Sequence, residues 1–160
     1  WNDVKDALEN TLSFLSGDQW EINFYETKYR FRADKTKKNP MYDSTLYDSV
    51  ALFSGGLDSF AGALTLLNQK KNPFFVGFKE YNLLVSRQQM LIDEISNFYN
   101  KQNVSFQNFN LVPKKPLNTN YQDKFYTENT SRSRSLLFIV GAIAVASTIG
   151  KDVRVFDNPR

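Results

Sequence analysis

Two adjacent glycines, Gly55 and Gly56, stand between the apolar run Val50-Ala51-Leu52-Phe53 and a helical pattern from Phe60 to Leu67. A β-branched and aromatic run, a glycine pair, then Asp58 and Ser59 opening an amphipathic segment read as strand, tight turn and helix N-terminus. That order makes an anion site. Both glycines can take positive φ, and neither puts a side chain between backbone and ligand, so their N–H groups can close round phosphate oxygens. The open amides of the following helix add partial positive charge at the same point. Ser54 and Ser59 supply hydroxyl donors. Asp58 is unsuited to direct contact with phosphate and points instead to a bridging Mg²⁺. The competing reading is a glycine turn with no ligand.

The rest of the composition narrows the chemistry. An apolar fraction of 41% in 160 residues, with 15% aromatics, is enough for one domain with a real core and argues against disorder. The formal charge of +3 is too small to demand nucleic acid. With no cysteine there is no disulfide scaffold, Cys-ligated zinc or thiol nucleophile, and with no histidine the commonest general base is missing. Catalysis would run on carboxylates, Lys, Arg, hydroxyls and bound Mg²⁺. No window reaches the length of a membrane span and no signal pattern opens the chain, so a cytoplasmic address is expected. The start at Trp1 rather than Met reads as a piece of a longer protein.

Two regions are expected: an N-terminal extension over 1–47 and a core over 48–160. In the extension, Val4, Leu8, Leu12 and Leu15 recur at near-helical spacing and Gly17 offers a stop. Trp20, Ile22 and Phe24 alternate with Glu21, Asn23 and Tyr25, the period of a half-buried strand. From Arg30 to Lys38 the basic residues Arg30, Arg32, Lys35, Lys37 and Lys38 form either a solvated loop, the favoured reading, or a patch for RNA or DNA.

From Asp48 strands alternate with helices: strands at Val50 to Phe53, Phe74 to Phe78, Val104 to Val112 and Val153 to Phe156; helices at Ser59 to Asn68, Ser86 to Tyr99 and Leu136 to Ile149. The small residues Ala61, Gly62 and Ala63 would let the first of these helices approach the sheet. Four strands and three helical crossovers predict an α/β fold with a doubly wound parallel sheet, whose ligands sit beyond the carboxyl ends of the strands. Between Val112 and Arg132 lie about twenty residues with no period, against about two to six for ordinary links, which suggests a lid or a disordered segment. They lead into Arg132 and Arg134 at the start of the last long helix. Two Arg in a first turn oppose the helix dipole. Either a nucleotide or acidic substrate compensates them, or Glu128 or Asp123 pairs with them.

The string Ser54-Gly55-Gly56-Leu57-Asp58-Ser59 resembles the SGGxDS signature of the PP-loop, or N-type, ATP pyrophosphatases, which split ATP into AMP and pyrophosphate while activating a substrate. No Walker A string occurs in the chain. Within that superfamily the core is similar to 7-cyano-7-deazaguanine synthase (QueC). Arg134-Ser135-Leu136-Leu137-Phe138 stands where that branch has Arg-Asn before a Leu-Leu-Phe helix, so Arg134 matches and Ser135 departs. Phe156-Asp157-Asn158-Pro159 resembles a divergent form of its Glu-Asn-Gly-like turn. The extension and the Ser-Gly-Gly-Leu-Asp-Ser-Phe wording look more like the QueC-like proteins of bacterial antiphage systems, such as the QatC component of Qat.

The resemblance implies an adenine nucleotide alpha hydrolase-like (HUP-type) core, truncated before the family's four-cysteine zinc site, with no zinc ligands in this chain. Alternatively the chain is a zinc-free relative of that family. The resemblance implies ATP and Mg²⁺ as cofactors, an acyl substrate, and protein partners from a defence operon. Ser54, Gly55, Gly56 and Ser59 would bind the pyrophosphate end of ATP, and Asp58 would organise Mg²⁺. Arg134, with Arg132, would hold the α-phosphate or a substrate carboxylate. Backbone at Gly77 and Phe78 would meet adenine. Asp58 and Arg134 are therefore the expected catalytic residues of an adenylating enzyme. A non-catalytic ATP-binding subunit of a defence complex and a tRNA-modifying PP-loop enzyme are the alternatives.

Overall fold

Pro73–Phe78 (β2) is buried at every position, which in a strand means neighbours on both edges and cover on both faces. In the computed structural model, which describes residues 2–26, 43–100, 104–110 and 134–156, both conditions are met. Ser49–Leu52 (β1) pairs with β2 in parallel, Val50 against Phe74, and β2 pairs in parallel with Phe106–Phe109 (β3), Gly77 against Asn108. Val153–Arg154 (β4) adds a parallel strand on the other side of β1. The order is β3-β2-β1-β4. Pro73 opens β2, where its missing N–H costs no ladder bond.

The chain divides into two compact units, Trp1–Tyr42 with Asn129–Ser135 and Asp43–Glu128 with Leu136–Arg160. In the sheet unit, Leu57–Asn68 (α2) and Asn82–Phe98 (α3) cover one face, and Arg134–Ile149 (α4) covers the other from Leu136 onward. Alternation along the strands sorts the core. Ala51, Phe53 and Phe75 meet Ala63 and Leu67 of α2 and Ile92 and Ile95 of α3. Val50, Phe74 and Val76 meet Ala142, Ala146 and Ile149 of α4. The chain moves outward from β1 to β3 with its helices on one face, then returns past β1 with α4 on the opposite face. That arrangement keeps the crossovers to a single hand. The fold is thus α/β with an all-parallel four-stranded sheet between helices, as its alternating pattern predicts.

Several boundaries move. β1 ends at Leu52 rather than Phe53, although Phe53 N–H still donates to Val76 O at 2.8 Å. α3 begins a turn earlier than expected, and β3 spans four residues rather than nine. β4 has only two. Tyr47, on the extension side of the expected boundary, belongs with the sheet. It is 8% exposed, lies edge-on to Phe74 at 5.1 Å, and its hydroxyl meets Ser105 Oγ at 2.8 Å.

In the other unit, Lys5–Ser16 (α1) follows a 3₁₀ turn at Asn2–Val4. Gly17 ends it as expected, at φ 80°, with its N–H donating to Ser13 O at 2.9 Å. The strand expected over 20–25 does not form, and side chains of α1 take two of the backbone donors that a ladder could use. Ser13 Oγ accepts from Trp20 N–H at 3.2 Å and Glu9 Oε1 from Ile22 N–H at 2.7 Å, while the indole N–H of Trp20 donates to Ser16 Oγ at 2.8 Å. No helix among the described residues is long and apolar enough to cross a membrane.

Candidate functional site

The strand order places β1 at the point where the sheet changes direction, with β2 on one side and β4 on the other. The crevice beyond the carboxyl ends of such strands is the ligand position of open α/β sheets. Ser54 to Ser59 leaves β1 there. Gly55 takes φ +81°, the left-handed conformation that glycine adopts without strain, and Gly56 is extended at φ −90°, ψ 171° as the N-cap of α2. The two glycines therefore differ. A Cβ on Gly55 would be strained and would stand 3.0 Å from Gln88 Cγ, whereas one on Gly56 would meet only Ser54 Oγ at 3.5 Å.

The first helical bond runs from Phe60 N–H to Gly56 O at 3.0 Å. The amides of Leu57, Asp58 and Ser59 thus precede any intrahelical acceptor and point out of the helix start, where the dipole is positive. The Gly55 N–H has no acceptor among the described residues. The hydroxyls behave otherwise than expected. Ser54 Oγ donates to Ser59 Oγ at 3.1 Å, Ser59 Oγ donates to Gly56 O at 2.9 Å, and Gly56 N–H reaches Ser54 Oγ at 3.3 Å. Both serines brace the loop, and Ser59 is buried. Of the two, only the exposed Ser54 is open to a ligand.

Asp58 is exposed in the first turn of α2. Among the described residues no three carboxylates gather to form a metal cluster. Asp58 is thus the single carboxylate of the loop that could face a cation, and a Mg²⁺ there would draw its other ligands from water and phosphate oxygens.

Gly77 and Phe78 close β2 within the core. Their register partners are Asn108 and Phe109, and the Phe78 ring lies edge-on to Phe109 at 5.3 Å and to Phe138 at 5.0 Å. Lys79 follows, half-buried, its N–H donating to Phe109 O at 2.8 Å. Arg134 is the first residue of α4; its side chain, Arg132, the basic segment Arg30 to Lys38, the connection 113–131 and the turn residues 157–160 lie outside the described residues.

Sequence reasoning missed two features of this edge. The first is Gln88, 0% exposed on α3. Its Nε2 faces Ser54 O at 3.1 Å and Phe53 O and Phe78 O at 3.4 Å, which ties together the carboxyl ends of β1 and β2. Its Oε1 is buried with no partner, an omission that costs about 1–3 kcal/mol. Turning the amide over would set Oε1 against three carbonyl oxygens, so the observed orientation is the only favourable one. The signal was present: Leu84, Gln88, Leu91, Ile92 and Ile95 follow the apolar stripe of α3, and a glutamine on such a stripe must find internal partners. The second is an open groove of about 550 Å³, lined by Leu57, Asp58, Ala61, Gly62, Thr65, Val155 and Phe156, beside the loop on the β4 side. Gly62 receives the ring of Phe156, while Ala63 packs against the sheet.

The chain matches no protein-family model, no curated protein and no solved structure.

Proposed function

We propose that this protein binds the triphosphate end of ATP in the Ser54 to Ser59 loop and activates a substrate by adenylation, in the manner of the QueC-like PP-loop enzymes. The observation that carries the reading is the set of open amides at Gly55, Leu57, Asp58 and Ser59, gathered where β1 hands over to α2 at the turning point of the sheet. Backbone amides on a helix dipole suit an anion with several oxygens, and they strengthen as charge develops on it. The substrate's carboxylate or amide oxygen attacks the α-phosphorus, the bond from that phosphorus to the bridging oxygen breaks, and pyrophosphate leaves into the loop.

Asp58 would hold a Mg²⁺, which would supply charge neutralisation for the leaving pyrophosphate. Arg134, with Arg132, takes the α-phosphate or the substrate carboxylate, and adenine lies beyond Gly77 and Phe78 at the end of β2. An amine then displaces AMP. In this reading the sheet is of the HUP type, and the protein works in the cytoplasm as part of an antiphage defence system with protein partners. The test is nucleotide product analysis on the full-length protein with its natural partners, Mg²⁺ and ATP. AMP and pyrophosphate support the proposal, while ADP and phosphate as sole products remove it. Calorimetric titration of the chain with magnesium pyrophosphate tests the binding step separately.

A further inference from the structure

We infer that Gln88 is the positioning residue of the phosphate loop: by holding the Ser54 carbonyl against α3, it turns the Gly55 N–H outward as a donor for the terminal phosphates. The inference rests on the proposed site and concerns how its backbone is aimed.

A peptide group is planar and trans, so the carbonyl of Ser54 and the N–H of Gly55 point in opposite directions. Fixing one fixes the other. Gln88 Nε2 lies 3.1 Å from Ser54 O, its shortest contact, and the same nitrogen reaches Phe53 O and Phe78 O at 3.4 Å. Two N–H bonds thus serve three carbonyls at the ends of two adjacent strands. The loop also rests on this side chain, because Gly55 lacks the Cβ that would stand 3.0 Å from Gln88 Cγ and 3.8 Å from Leu84 Cδ1. Gly55 takes its positive φ at this seat, where a side chain would be both strained and crowded.

The unpartnered Oε1 argues that the residue is not there for burial alone. Leucine or methionine would fill the same volume with no orphaned acceptor. What an amide adds is a double donor facing carbonyls, and its most direct effect is on the peptide that joins Ser54 to Gly55.

The experiment is calorimetric titration with magnesium pyrophosphate of wild type, Gln88→Met and Gln88→Glu at pH 5.5 and 8, each variant referred to wild type at the same pH so that the ligand's own titration cancels. Gln88→Met should bind roughly tenfold more weakly or worse, by the same factor at both pH values. Burial beside three carbonyls raises the pKa of a glutamate placed there, so Gln88→Glu should bind closer to wild type at pH 5.5, where the neutral, donating carboxyl is favoured, than at pH 8, where a carboxylate repels the carbonyls. Folded variants that bind as wild type at both pH values overturn the inference. Failure of wild type to bind pyrophosphate overturns the site itself, and the two failures are thereby distinct.

Should the variants not fold, amide NMR of the wild-type chain decides. On addition of magnesium pyrophosphate the Gly55 N–H resonance should shift and its exchange should slow. Movement of the Leu57 to Ser59 amides with Gly55 unmoved refutes the positioning role.

Discussion

The ring of Phe156 lies on the bare backbone of Gly62, so close that a Cβ built on the glycine would stand 2.2 Å from the ring's Cγ. This contact seats the segment after β4 on α2 and closes one side of the groove beside the Ser54 to Ser59 loop. Gly141 of α4 and the ring of Phe109 repeat the device on the other face of the sheet, at 2.0 Å. In each case a helix gives up a side chain so that a phenylalanine at a strand end can sit close.

Gly62→Ala should therefore destabilise the protein. Helix propensity alone would favour alanine by about 1 kcal/mol, but overpacking against a ring costs about 1–3 kcal/mol. In a Phe156→Ala background the same substitution should become stabilising. Urea denaturation of the four proteins of this cycle measures the reversal; a substitution at Gly62 that acts identically in both backgrounds would mean that the contact carries no energy.

Gly55 and Gly56 should respond differently to alanine. At Gly55 the left-handed backbone and the nearby Gln88 predict a loss of about 1–2 kcal/mol together with weaker pyrophosphate binding. At Gly56 the backbone is extended and the space is open, so stability should stay within about 0.5 kcal/mol. Affinity should nonetheless fall by roughly tenfold, because a methyl group would stand where phosphate oxygens approach the amides. Thermal unfolding and pyrophosphate titration of the two variants check the contrast.

Asp58→Ala should abolish turnover while leaving unfolding within about 0.5 kcal/mol of wild type, since the carboxylate is exposed and packs into no core cluster. An unchanged rate would remove the proposed role of Asp58 in holding Mg²⁺.

Asp43 carries the clearest titration. Its carboxylate accepts the Thr45 hydroxyl at 2.6 Å and the Thr45 N–H at 2.9 Å, and these bonds hold its pKa below the ordinary 3.8, the hydroxyl contributing most. A carboxyl whose folded pKa is depressed stabilises the fold fully above its unfolded value and loses that contribution as pH falls through the folded one. Carbon-13 NMR titration should place Asp43 below 3.8 in wild type and higher in Thr45→Val.

Much of this fold was legible from local chemistry. The apolar runs at β1 and β2, the amphipathic stripes of α2 and α3 and the glycine stop at Gly17 each depend on residues within a few positions of one another. Periodicity and turn residues report such neighbours directly, and the alternation of strands and helices sufficed for the α/β class and for placing the loop at a strand's carboxyl end. Tertiary structure alone decided what lies across from what. Whether Trp20 to Tyr25 would pair as a strand turned on acceptors offered by α1, and Ser54 and Ser59 became braces because the turn brought their hydroxyls together. Gln88 reached the Ser54 carbonyl, and Phe156 reached Gly62, only because the sheet order stacks segments that are distant along the chain. A sequence pattern states which face of an element is apolar; the partner that meets that face is chosen by the packing of the whole sheet.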